Sequence, residues 1–215
     1  MFKDIQIIIC KMDDFILEIP NFIPEKLCTD IIKKFEDDND KKDGYFTYRS
    51  IDGKEILRKK YNVELFITYN QKWENIDKEI SKYVGKALQK YNSHLHDKFY
   101  IQGQKYHTMD RILNFNVETA DTGYYIHKIK EGDYYAWHVD NTPNNDRYLQ
   151  MIFYLNDFDK NEGGCTQFTN GRKVRPEIGK VLIYPCSWTF PHSGEQVKKQ
   201  NGYKYILTTT ITARY

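Results

Sequence analysis

The stretch Gly132-Asp-Tyr-Tyr-Ala-Trp-His-Val-Asp-Asn-Thr-Pro-Asn-Asn-Asp146 decides how this chain is read. Its first half is rich in the aromatic residues that suit strands, and its second half is a run of Asn, Pro and Asp that breaks them. Side chains alternate faces along a strand, so His138 and Asp140 are expected to point the same way. Their Cα atoms then lie roughly 6.6 Å apart, close enough to grip one ion. The breaker leaves the pair at a strand end beside a loop, where ligands can approach. An HxD triplet alone is a weak signal, because any exposed strand can carry one. Its meaning depends on what the rest of the chain brings to it.

Outward from this stretch, everything from Arg111 onward reads as short strands: Ile112–Val117, Tyr124–Lys130, Tyr134–Val139, Tyr148–Leu155, Cys165–Phe168, Lys173–Arg175, Val181–Tyr184, His192–Val197 and Tyr203–Thr212. Turn clusters such as Asn161-Glu-Gly-Gly164 and Thr169-Asn-Gly171 separate them. Upstream, Phe15–Ile19 reads as a strand. Pro24 is well placed at the first turn of a helix through Leu27, Ile31, Ile32 and Phe35. Glu36–Asp43 is expected to be a charged, solvated loop, and residues 44–72 a long loop with one short strand at Val63–Ile67. Ile76, Ile80, Val84, Leu88 and Tyr91 form the stripe of a second helix that ends near His94-Leu-His-Asp97. Consecutive helical residues do not share a face, so that quartet is read as helix-terminal polarity, with its histidines favoured at the C-terminus, and not as a metal site. The expectation is one mainly β domain over residues 1–215. Residues 1–110 form a helical and loop support, and residues 111–215 a jelly roll (double-stranded β-helix) with the helices packed on one sheet.

Composition narrows the function classes. A net charge of +2 and a pI near 8.2 give no strong basic field, and Lys198-Lys199 is only a short pair, so there is no strong nucleic-acid signal. The 18 tyrosines and 12 phenylalanines suit a polar-lined barrel or a binding cleft, since tyrosine buries a ring while wetting a hydroxyl. Cys10, Cys28, Cys165 and Cys186 are scattered, as reduced thiols in a cytoplasmic protein would be. Neither a signal peptide nor an apolar run of about 20 residues is visible, so no membrane span is expected.

Two further residues complete the constellation. His192, on a distant strand, would turn His138 and Asp140 into a two-histidine, one-carboxylate face, which leaves coordination positions open and is typical of non-haem Fe(II) oxygenases. Lys204, twelve residues on, offers a fixed cation for an acidic co-substrate.

The C-terminal half resembles the Fe(II)/2-oxoglutarate-dependent oxygenases, in their prolyl 4-hydroxylase-like branch, over about residues 111–215, and residues 15–35 do so faintly. Tyr125-Ile-His-Lys-Ile-Lys-Glu-Gly-Asp-Tyr-Tyr-Ala-Trp-His-Val-Asp140 is similar to the strand leading to that branch's metal. Tyr154-Leu-Asn-Asp157 with Glu162-Gly-Gly-Cys-Thr-Gln-Phe168 resembles its "YLND…EGGETxF" block. Val174-Arg-Pro-Glu-Ile-Gly-Lys-Val-Leu-Ile-Tyr-Pro185 resembles its "VKPKKGxxLLF" strand pair, His192-Ser-Gly-Glu195 its distal histidine, and Gly202-Tyr-Lys-Tyr205 the basic residue of its next strand. The resemblance implies His138, Asp140 and His192 as Fe(II) ligands and Lys204 as the partner of the distal carboxylate of 2-oxoglutarate. Tyr154 lies where a hydroxyl often shares that task, the alternative being an ordinary sheet tyrosine. It also implies O₂ as a substrate and ascorbate as a stimulant. Two departures stand out: Ile129 occupies a position where a tyrosine is common, and the His192–Lys204 interval is longer by about two residues, which an enlarged turn at Lys198–Asn201 would absorb.

The implied chemistry couples decarboxylation of 2-oxoglutarate to hydroxylation of an unactivated C–H bond, with a prolyl residue of a peptide or protein as the expected substrate. Tyr135, Trp137, Trp188, Arg49 and Arg58 are the candidate groove residues. Aromatic walls suit a pyrrolidine ring, and they equally suit a nucleobase or a free amino acid. The rivals are a related oxygenase acting on a small molecule or nucleobase, and a catalytically silent jelly-roll binding module. Against the silent module, a pure binder has no use for open metal positions. A zinc hydrolase would leave Lys204 idle.

Overall fold

Alternation along the strands builds two sheets. The computed structural model describes residues 11–49, 52, 54–99, 119–141 and 146–213. Its strands are β1 (Leu17–Ile19), β2 (Lys42–Arg49), β3 (Glu55–Phe66), β4 (Thr119–Asp121), β5 (Tyr125–Lys130), β6 (Tyr135–His138), β7 (Arg147–Tyr154), β8 (Thr166–Phe168), β9 (Lys173–Val174), β10 (Val181–Pro185), β11 (His192–Gly194) and β12 (Tyr203–Ala213). The larger sheet runs β1-β10-β7-β12-β5-β3-β2, with β4 also on β12, and the smaller runs β6-β11-β8-β9. Every ladder is antiparallel. The mainly β, jelly-roll expectation holds, with helices α1 (Glu25–Asp37) and α2 (Glu74–Phe99) beside it.

Each central strand divides its residues between two environments. Met151 and Phe153 of β7, Val181 and Ile183 of β10, and Leu207 and Ile211 of β12 face one way. They pack against Leu27, Ile31 and Phe35 of α1 and Ile80, Val84 and Tyr91 of α2. The intervening Ile152, Tyr154, Leu182 and Tyr184 face the smaller sheet, where Phe168 and Val174 meet them. Burying a side chain of this size contributes about 1.5–3 kcal/mol, so the helices fix one face of the large sheet firmly. The opposite face is left to line a cavity between the sheets.

Several local expectations need correction. Residues 44–72 are not a long loop, because β2 and β3 form a hairpin across most of them. Only its base docks on the rest of the sheet, through Val63–Phe66 paired with Tyr125–Lys128. Beyond that base the ladder continues through the pairing of Tyr45–Arg49 with Glu55–Lys59. Residues 1–110 are therefore not only helical and loop support, since β1, β2 and β3 all join the larger sheet. Within the charged run, α1 continues to Asp37, and Asp38 is buried, accepting a 2.8 Å hydrogen bond from the indole of Trp73. Glu36 binds Lys128 at 2.9 Å and the Tyr205 hydroxyl at 2.8 Å. The helix α2 ends at Phe99, and His94 bonds the Asp14 carbonyl at 2.8 Å, a structural role in keeping with the sequence reading. The expected strand Ile112–Val117 lies outside the described residues. Among those described, no helix is long and apolar enough to cross a membrane, and Cys28, Cys165 and Cys186 are free thiols.

Candidate metal centre and cofactor cavity

Strand pairing brings the two histidines together. In the β6–β11 ladder His138 and His192 are direct cross-strand partners, with ring centroids 4.2 Å apart. Asp140 arrives differently from the expectation. The strand β6 stops at His138, and Asp140 reaches the site from the bend that follows. That bend is held by the Asn141 N–H donating to the Cys186 carbonyl at 3.0 Å and by Arg147 donating to the Asp140 carbonyl at 3.3 Å. Among the described residues these three form the one cluster whose donor atoms suit an ion, all within 4.8 Å of one another.

Backbone carbonyls set the histidine tautomers. Nδ1 of His138 lies 2.8 Å from the Ala136 carbonyl, and Nδ1 of His192 lies 3.1 Å from the Phe190 carbonyl. A carbonyl only accepts, so each Nδ1 carries the proton and each Nε2 presents its lone pair inward. Those nitrogens lie 3.5 Å (His138) and 3.4 Å (His192) from the Asp140 carboxylate. Burial pushes the His192 pKa down to about 4 against the opposing pull of Asp140, so this imidazole is neutral at pH 7. Burial also opposes ionisation of Asp140, but the pull of His138, His192 and Arg147 around it wins and holds its carboxyl below the usual carboxylate range. Two imidazoles and one carboxylate, with the buried Oδ2 of Asp140 lacking a hydrogen-bond partner, fit a divalent cation that keeps open positions.

The same cavity, of about 380 Å³, extends to Lys204. This lysine is 5% exposed, donates to the Gly164 carbonyl at 2.6 Å, and has its pKa lowered by burial to about 8. Ile129, Thr166, Val197 and Ile206 line the wall near it. A buried ammonium at the end of a pocket that begins at a metal face is suited to a small acid that also reaches the ion. The enlarged turn before Lys204 is present, with Asn201 in the left-handed region at φ 51°.

Comparison with known proteins agrees with this arrangement. Residues 124–212 match the family model of the 2OG-Fe(II) oxygenase superfamily. The matched segment holds the three candidate metal ligands and Lys204. The fold is similar to a viral collagen prolyl hydroxylase from Paramecium Bursaria Chlorella virus-1, solved with 2OG, at 16% identity and TM-score 0.58, covering 94% of this chain and 97% of that one. It is similar to a Trichoplax adhaerens prolyl hydroxylase solved with a hypoxia-inducible-factor peptide, at 15% identity and TM-score 0.64, covering 93% and 84%. HygX from Streptomyces hygroscopicus, with nickel and 2-oxoglutarate bound, matches at 12% identity and TM-score 0.55, covering 94% and 84%. No curated protein matches the sequence significantly.

Not every expected residue lies in this cavity. Tyr135 does, with its ring 4.4 Å from that of His138. Tyr154 is wholly buried and does not line it; its hydroxyl is hydrogen-bonded to Thr166 at 2.7 Å, and Thr166 is the group that faces inward. Trp137 and Trp188 are not cavity walls, being 54% and 80% exposed. Arg49 and Arg58 are on the β2–β3 hairpin, and the positions of their side chains lie outside the described set. The sequence reading passed over Thr166, Tyr184, His127, Gln150 and Thr208, all on the cavity wall. The signal was available in β7 and β12, where Gln150 and Thr208 interrupt apolar runs on the inward-facing register.

Proposed function

We propose that this chain is an Fe(II)/2-oxoglutarate-dependent dioxygenase that hydroxylates an unactivated C–H bond, with a prolyl residue of a peptide or protein as substrate. One observation carries the reading: two histidines with inward Nε2 lone pairs and an ionised aspartate share a cavity with a buried lysine. Bound Fe(II), with 2-oxoglutarate and O₂, supplies the oxidising chemistry. The chain's own residues do the rest. His138, Asp140 and His192 hold the ion, and Lys204 with Thr166 grips the distal carboxylate. The cavity walls exclude water and aim one C–H bond.

The substrate assignment is supported by the cavity mouth. Tyr45, Tyr125 and Tyr134 line it at 48%, 40% and 44% exposure, a rim of flat apolar faces with polar tips that suits a pyrrolidine ring on an extended chain. A second reading draws support from the wall beyond, where Asn62, His127, Gln150 and Thr208 offer polar groups that suit a small hydroxylated or amino-bearing molecule. Succinate release from 2-oxoglutarate with Fe(II) and O₂ tests the reaction class. Mass spectrometry of proline-rich peptides, free amino acids and nucleosides after the same incubation tests the substrate. A gain of one oxygen on a small molecule with none on any peptide would overturn the prolyl assignment alone.

A further inference from the structure

Among the described residues, Tyr184 is the one buried tyrosine on the cavity wall that no role above uses. It closes the block Val174–Tyr184 at the position where the family pattern "VKPKKGxxLLF" has phenylalanine, so this chain carries an added hydroxyl there. The alternation of β10 points Tyr184 away from the helices and into the cavity, where it is wholly buried. Its ring meets His192 at 4.7 Å between centroids and Phe168 at 5.0 Å, both edge-on, so the ring has little freedom.

Its hydroxyl lies 2.9 Å from Nε2 of His192. Nδ1 of that imidazole already donates to the Phe190 carbonyl, so Nε2 is the acceptor and Tyr184 the donor. The same lone pair is the one a metal would take. An ion and a phenol cannot share it, and a wholly buried hydroxyl that loses its acceptor needs another. One is at hand: Oδ2 of Asp140 lies 3.4 Å from that nitrogen, is buried, and has no hydrogen-bond partner.

We propose that Tyr184 is a positioning residue of the metal centre, whose hydroxyl bonds His192 Nε2 in the metal-free protein and turns to Asp140 Oδ2 when an ion takes that nitrogen. The proposal rests on the metal reading above. Burial raises the Tyr184 pKa and the neighbouring Asp140 carboxylate adds to that rise, so the two groups are close enough for the hydroxyl hydrogen to turn from one acceptor to the other. The exchange would occupy Oδ2 and leave Oδ1 of Asp140 free for an ion. A hydrogen bond to a carboxylate is stronger than one to a neutral imidazole, so the exchange favours the metal-bound form.

The test is Tyr184→Phe, which keeps the ring and its packing. Co(II) is titrated into wild type, Tyr184→Phe and His138→Ala under inert gas and followed by visible absorption, with melting curves of each metal-free protein. Tyr184→Phe is expected to bind Co(II) roughly 10–100-fold more weakly, the usual scale for losing such a partner, with an altered Co(II) spectrum because Oδ2 is released toward the ion. A hydroxyl that merely plugs His192 predicts the opposite, tighter binding, since nothing has to be displaced. A smaller weakening, an unchanged constant or a tighter one each overturns the exchange and leaves the metal centre standing. Failure of wild type to bind Co(II), or equal binding by His138→Ala, overturns the metal reading and this inference with it.

Discussion

Replacing Lys204 with methionine separates co-substrate binding from metal binding and from stability. Methionine fills most of the same volume and removes the ammonium. The pKa of Lys204 falls from 10.5 to about 8, chiefly through burial. A fall of that size corresponds to about 3 kcal/mol of unfavourable environment for the charge, at about 1.4 kcal/mol per pKa unit. Because the side chain is 5% exposed, solvent screening takes little from this figure. The free protein therefore holds an under-compensated cation, and a bound carboxylate relieves it. Losing one partner of such a buried charge pair costs about 2–5 kcal/mol. The expected weakening of 2-oxoglutarate binding is then roughly 30-fold to several-thousand-fold, at about 1.4 kcal/mol per decade. The variant gives up its hydrogen bond to the Gly164 carbonyl, worth about 1 kcal/mol, so the metal-free protein should be as stable as wild type or more so. Anaerobic calorimetry of 2-oxoglutarate into the Mn(II)-loaded protein measures the binding, and a parallel Mn(II) titration should show no change. A 2-oxoglutarate constant within twofold of wild type would refute the assignment of Lys204.

Other outcomes follow from the same structure. His138→Ala, Asp140→Ala and His192→Ala should each abolish succinate release and metal uptake while circular dichroism stays as in wild type; residual decarboxylation in any of them removes that residue from the metal face. Affinity for 2-oxoglutarate should fall as pH rises through about 8, where the free protein's Lys204 loses its proton, and Lys204→Met should abolish that dependence. For folding the sign is reversed: the folded pKa is below the unfolded 10.5, so the unfolded chain binds more protons between them and the contribution of Lys204 to stability rises with pH from about 8 to 10.5. Asp38→Ala should lower stability by about 1–3 kcal/mol, because it strands the buried Trp73 indole N–H, and a melting temperature equal to wild type would show that another acceptor takes over.

Much of the domain was legible because its determinants are local. Near-continuous apolar runs in Arg147–Tyr154 and Val181–Pro185 report strands buried on both faces, and the turn clusters between runs mark where each strand ends. The helical stripe from Ile76 to Tyr91 identifies α2, missing its end by a turn or less because the C-terminal residues carry no stop signal. The hairpin of β2 and β3 was missed for the converse reason. Its pairing is a backbone ladder, and backbone ladders leave no mark on the side-chain sequence.

At the candidate site the sequence determined which chemical groups are available: His138, Asp140 and His192 offer donors that suit a metal, Lys204 offers a cation, and the blocks around them put each at an inner strand position or near a strand end. Which of those groups meet was decided by tertiary structure. The register that sets His138 opposite His192, the bend that delivers Asp140, and the carbonyls that fix both tautomers depend on strand pairing between segments some 50 residues apart. The same pairing turned Trp137 and Trp188 outward, buried the Tyr154 hydroxyl against Thr166, and brought Tyr184 to His192. Side-chain period fixes only that two faces exist; which face becomes cavity depends on what packs on the other, and here that is the pair of helices.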